Sequence, residues 1–110
     1  MRTLNYRFPA DQTPARRVHV GVVASGDLEI LLDDPAPRPG TDPGAQVRVR
    51  TSVDGFDTTW HAVLERFFIR TPLRGRWQLN DFGATPGVVT VRLRQAAAAA
   101  TATQAERNQK

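Results

Sequence analysis

The sequence predicts an α+β domain: a mainly antiparallel β-sheet of about five strands with two helices packed on one face. Three observations carry this. Short stretches alternate apolar and polar residues with period 2, as half-buried strands do. One stretch, Trp60 to Phe68, instead repeats its apolar residues at i, i+3, i+4, i+7 and i+8. The chain has 110 residues, enough for one domain with one modest core.

Leu4, Tyr6 and Phe8 alternate with Thr3, Asn5 and Arg7 and make the first strand. After a loop holding Pro9 and Pro14, Val18, Val20 and Val22 begin the second. Leu28, Ile30 and Leu32 share one face of the third, with Glu29 on the other. Between these two strands lies Ser25-Gly26-Asp27, a hairpin tip in which Gly26 takes a positive φ at no steric cost. Four of the eight prolines fall in DDPAPRPGTDPGA, which propagates neither helix nor sheet and reads as a mobile surface loop over 34–45. Val47, Val49 and Val53 resume the alternation as a fourth strand, with Arg48 and Arg50 on its polar face.

The first helix follows, with Asp57 and Thr58 as N-cap candidates and Thr71-Pro72 as its end. A fifth strand runs from about Arg76 to Phe82 and carries Trp77 and Leu79. Thr85-Pro86 reads as an N-cap followed by proline at the first helical position, opening a second helix through VVTVRLRQAAAAA. Residues 1–100 form the domain, and 101–110 read as a disordered tail with nothing left to bury.

Composition narrows the chemistry. The chain has no cysteine, hence no disulfide, thiolate metal site or protein thiol nucleophile. No apolar run is long enough to span a bilayer, and the N-terminal residues lack a signal-peptide core, so membrane insertion is not expected and a cytoplasmic protein is. The net charge is +4 with a pI of about 11.0. That invites a small basic nucleic-acid-binding module as an alternative function, although the arginines are scattered with no stacking aromatics among them. His19 and His61 fall on different elements without a second ligand at metal spacing. Gly-rich phosphate loops and GxSxG are both absent, which argues against a nucleotide-binding enzyme or a hydrolase.

A carrier of a covalent arm survives this elimination. Lipoyl and biotinyl arms need a lysine, and the only lysine is Lys110; phosphodiester-linked arms need a serine, of which the chain has Ser25 and Ser52. Ser25 sits at the hairpin tip beside Gly26, open to an attaching enzyme. Serine and glycine also suit a plain turn.

The segments VGVVASGDLEILLD, TSVDGFDTTWHAVLERFF and above all NDFGATPGVVTVRLRQA resemble the acyl carrier (delta) subunits of bacterial malonate decarboxylase, from about Leu4 to Ala96. More distantly, the SGD hairpin is similar to that of the citrate lyase carrier subunit. The proline-rich loop and the alanine-rich basic tail depart from the pattern without touching these motifs. The resemblance implies a non-catalytic subunit in which Ser25 bears phosphoribosyl-dephospho-CoA through a phosphodiester, with Gly26 and Asp27 shaping the turn. The arm's thiol then carries acetyl and malonyl thioesters. It also implies partners: a transferase (alpha) subunit that exchanges acetyl for malonyl, decarboxylase (beta and gamma) subunits, and a prosthetic-group transferase, with no nucleic acid. The thioester matters because its carbonyl holds the electron pair left by the departing carboxylate. Unlike the all-helical acyl carrier proteins, this family would present its serine on a β-turn. Arg48 and Arg50 are candidates to neutralise the arm's phosphates, and the helix start at Thr85-Pro86-Gly87 to offer amides to an anion; a solvated strand face and plain capping are the simpler readings and come first. Asp27 helps an attaching enzyme recognise the turn or orients the Ser25 hydroxyl, or, as an aspartate at a turn more often does, bonds its own backbone in an Asx-turn. Asp81 reads as a loop-fixing carboxylate, and the set Trp60, Phe67, Phe68, Trp77 and Phe82 as core or subunit contact.

Overall fold

The computed structural model describes residues 1–34 and 44–102. Period-2 burial defines five strands: β1 (Arg2–Phe8), β2 (Val18–Val20), β3 (Leu28–Asp33), β4 (Ala45–Thr51) and β5 (Gly75–Asp81). Two helices, α1 (Asp57–Arg70) and α2 (Pro86–Thr101), complete the fold. The strands form one sheet in the order β1-β4-β5-β3-β2. Three neighbouring pairs are antiparallel, as expected, but the central β4–β5 pair is parallel. A parallel pair needs a crossover, and α1 supplies it.

Both helices lie on the sheet face that carries Leu28, Ile30, Leu32, Val49, Trp77 and Leu79, each at most 1% exposed. α1 turns Trp60, Leu64 and Phe68 inward. Phe68 stacks on Phe8 of β1 at a centroid distance of 5.0 Å and meets Trp77 edge-on at 5.3 Å. α2 crosses β2 and β3 and buries Val89, Leu93, Ala96 and Ala100. Its alanine run puts small side chains where the helix meets the sheet. The Arg16 guanidinium donates to the carbonyls of Ala99 and Ala102, satisfying acceptors that a helix C-terminus leaves open.

Several boundaries differ from expectation, each for a local reason. Val22 is not in β2: Gly21 takes φ +78° and turns the chain out, leaving Val22 and Val23 exposed. Val53 lies beyond β4, because its N–H donates to the Thr51 hydroxyl (3.0 Å) and the chain leaves the strand there. The N-cap of α1 is Phe56, without a side-chain cap; Asp57 is the first helical residue and its carboxylate pairs with Arg2. Thr85 does cap α2, accepting from the Val88 N–H, with Pro86 next. The mobile loop expected over 34–45 and the disordered tail over 101–110 lie outside the described residues except at their ends. There, Asp34 pairs with Arg74 (3.3 Å), Ala45 opens β4 and Thr101 closes α2.

Candidate functional site

Seven residues, Gly21 to Asp27, link β2 to β3 and carry Ser25 at their outer edge. A hydrogen bond from the Asp27 N–H to the Ala24 carbonyl (3.1 Å) closes a four-residue turn. Its third residue, Gly26, has φ +81°, as a type II turn requires at that position. Ser25 is exposed, and among the described residues its hydroxyl makes no hydrogen bond.

The turn is fixed to the body of the protein. The Gly26 N–H donates to the Phe82 carbonyl (2.7 Å) and the Phe82 N–H to the Asp27 carbonyl (3.0 Å). These two bonds carry the β3–β5 ladder one step past its last pair, Leu28 and Asp81. The Asp27 carboxylate then ties the tip on two sides. It accepts from the Val22 N–H (3.1 Å) and takes a bidentate pair from Arg92 of α2, with Nε 2.9 Å and Nη2 3.0 Å away. Arg92 is itself steadied by Gln95 (2.8 Å). The Arg92 hydrogen bonds, helped by the Leu28 and Val22 amides, hold the Asp27 carboxyl down at about 2 against partial desolvation. Asp27 does not bond the Ser25 hydroxyl; it shapes the turn instead.

The string DFGATPG builds the shelf beneath this turn. Asp81, 3% exposed, accepts from the Thr51 hydroxyl (2.9 Å) and from the Ala84 N–H (2.9 Å), so its carboxylate fixes the loop that follows. Gly83 turns the chain at φ +89° under Gly26, and Thr85-Pro86 starts α2. Since Thr85 already binds the Val88 amide, one donor of that helix start is occupied.

The structure does not bring the other candidates to Ser25. Arg48 and Arg50 lie on the helix-free face of the sheet, exposed and without an ion pair among the described residues. β5 separates their strand from β3, about 10 Å across two strand spacings. His19 pairs with Glu29 (2.9 Å) and His61 with Glu65 (3.5 Å). Ser52 is exposed just beyond β4. Among the described residues no cluster of three or more His, Cys, Asp or Glu could hold a metal, and no helix is long and apolar enough to cross a membrane. Arg92 is the site residue the sequence reading passed over. A helical arginine among valines and leucines carries no local sign that its partner lies 65 residues earlier.

Replacing Arg92 with glutamine is expected to raise the Asp27 carboxyl toward its ordinary value of 3.8 and to loosen the turn. With the folded value depressed, the unfolded chain binds the proton more readily. The pairing therefore stabilises the fold fully above pH 3.8, and this contribution is lost as pH falls toward about 2. An NMR titration of Asp27, with hydrogen exchange at the Gly26 amide, measures both effects. An unshifted Asp27 in Arg92→Gln would mean that the guanidinium does not govern it.

A family model described as malonate decarboxylase delta subunit (MdcD) matches residues 15–100. The malonate decarboxylase acyl carrier protein of Pseudomonas fluorescens (strain SBW25) is 47% identical over 96 residues, covering 86% of this chain and 92% of that protein. That of Stenotrophomonas maltophilia (strain K279a) is 49% identical over 100 residues, covering 87% and 91%. A chain in the crystal structure of a Pseudomonas malonate decarboxylase hetero-tetramer in complex with malonate is 46% identical. It aligns with a TM-score of 0.73 over 88% of this chain and 96% of its own.

Proposed function

Because the chain belongs to the malonate decarboxylase delta-subunit family, we propose that its Ser25 bears a covalent phosphoribosyl-dephospho-CoA arm. The protein is an acyl carrier subunit of malonate decarboxylase, not a catalytic one. One observation supports the site above the others: Ser25 presents an unbonded hydroxyl at the edge of a turn that is itself hydrogen-bonded to Phe82, just past β5, and to Arg92 of α2.

The residues fit such a group. Gly26 leaves open space above the turn, since a Cβ built there meets nothing within 4 Å. In the attachment step the Ser25 oxygen bonds to phosphorus of a phosphoanhydride-activated form of the group. The phosphorus–oxygen anhydride bond breaks, and its phosphate portion leaves with the electron pair. The hydroxyl proton passes to a base of the attaching enzyme, because no described side chain accepts it. When bound, the group supplies the thiol on which acetyl and malonyl are held as thioesters. Asp27 and Arg92 keep the attachment point from swinging, while Asp81 and Thr51 hold the loop below it. The partners in this reading are a transferase (alpha) subunit, decarboxylase (beta and gamma) subunits and the prosthetic-group transferase, with the assembly in the cytoplasm. The relative found in a hetero-tetramer supports an assembly of several subunits.

Intact mass tests the reading, with the chain made alongside the arm-synthesising and arm-transferring enzymes. Wild type and Ser25→Ala are compared, with Ser52→Ala as the control for the second exposed serine. The expected result is a gain equal to one phosphoribosyl-dephospho-CoA group in wild type and Ser52→Ala, and none in Ser25→Ala. A gain that persists in Ser25→Ala would move the arm elsewhere.

A further inference from the structure

A pocket of about 270 Å³ opens between the first turns of α1 and α2 and the Asp81–Pro86 loop. Phe56, Trp60, Val63 and Val89 make its apolar walls, and Gly83 forms the side next to the Ser25 turn. A Cβ built on Gly83 would come within 4.0 Å of the Gly26 nitrogen, so the pocket wall and the turn are in contact. We propose that this pocket receives the adenine base of the arm carried on Ser25. The inference rests on the attachment reading above.

Three observations favour a flat, uncharged heteroaromatic ring. The volume lies just below the roughly 300–1,000 Å³ typical of drug-sized ligand sites, the scale of a small fragment such as a purine. No lysine or arginine lines the pocket, so it offers no charged side chain to the diphosphate of the arm. Trp60 is only 7% exposed, and its indole N–H, which makes no hydrogen bond among the described residues, is reached by solvent and so is free to donate. The Trp77 indole, by contrast, donates to the Leu73 carbonyl (3.1 Å). Adenine supplies an acceptor for the Trp60 N–H, through its ring nitrogens, and a face to lie against Phe56, half of which is open to solvent. The base stands one phosphodiester and two riboses from the serine oxygen. The tether thus holds it at high effective concentration beside the pocket, and weak stacking suffices to keep it there.

The two indole signals of the full-length, ¹⁵N-labelled chain report on this directly, Trp60 being assigned from Trp60→Phe. Loaded and unloaded protein are compared, with loading verified by intact mass. The Trp60 indole and the amides of Phe56, Gly83 and Ala84 should shift on loading, while the Trp77 indole stays in place. Phe56→Ser removes the stacking face and places serine at a position where helices favour it. This variant should still gain the mass but lose the loading-dependent Trp60 shift. A full mass gain with shifts confined to residues 24–27 would overturn the inference, as would a Trp60 shift that survives in Phe56→Ser or appears only after partner subunits are added. Absence of any mass gain would defeat the attachment reading, and this one with it.

Discussion

Gly21→Ala is expected to displace the Ser25 turn and to slow arm attachment severely. A Cβ at this position would lie 2.0 Å from the Leu28 carbonyl oxygen, with the Leu28 carbonyl carbon and the Glu29 Cα also inside ordinary contact distance. All three are backbone atoms of β3, so none can step aside without unzipping the strand that carries the turn. The φ of +78° adds about 1–3 kcal/mol for a non-glycine residue. Gly26→Ala separates the two contributions. It has nearly the same φ, +81°, but meets nothing within 4 Å, so it bears only the conformational cost. Thermal melts and attachment rates of both variants decide the matter. Equal losses would show that the clash at Leu28 contributes nothing.

Trp77→Ala is expected to remove a large part of the protein's stability. The side chain is 1% exposed at the centre of the sheet, with Phe67 and Phe68 edge-on to it at 5.7 and 5.3 Å. Truncating a buried aromatic of this kind costs about 3–5 kcal/mol, out of a total of about 5–15 kcal/mol for a typical domain. Trp77→Phe keeps a smaller aromatic ring but deprives the Leu73 carbonyl of its donor, and should cost less. Urea denaturation measures both. A loss below about 1 kcal/mol in Trp77→Ala would mean that the core refills the space.

The elements legible in the sequence are those whose signal is local. Alternation located Leu28, Ile30 and Leu32 on one buried face, and the 3.6-residue repeat located Trp60, Leu64 and Phe68 on another. Thr85-Pro86 announced α2 because a cap and its proline are adjacent in the chain. What alternation does not encode is which strand lies beside which, so the parallel β4–β5 pair emerged only from the structure. The basic charge was a poor guide for a related reason. Arg2, Arg74, Arg76 and Arg92 are paired with Asp57, Asp34, Asp33 and Asp27, and Arg16 with helix carbonyls. At the site, Ser-Gly-Asp read correctly as a turn. Its attachment to the Asp81–Pro86 loop did not, because the bonds between Gly26, Asp27 and Phe82 join backbone groups whose side chains leave no trace of them.

A turn bonded to a strand on one side and to a helix on the other has a geometric consequence for the assembly. If Ser25 carries the proposed arm, every position its thiol reaches lies within a sphere centred on a turn that hydrogen bonds fix to the body of the subunit. On that proposal the centres the thiol serves both fall inside the sphere, so their separation is bounded by its diameter, unless the whole subunit travels between them.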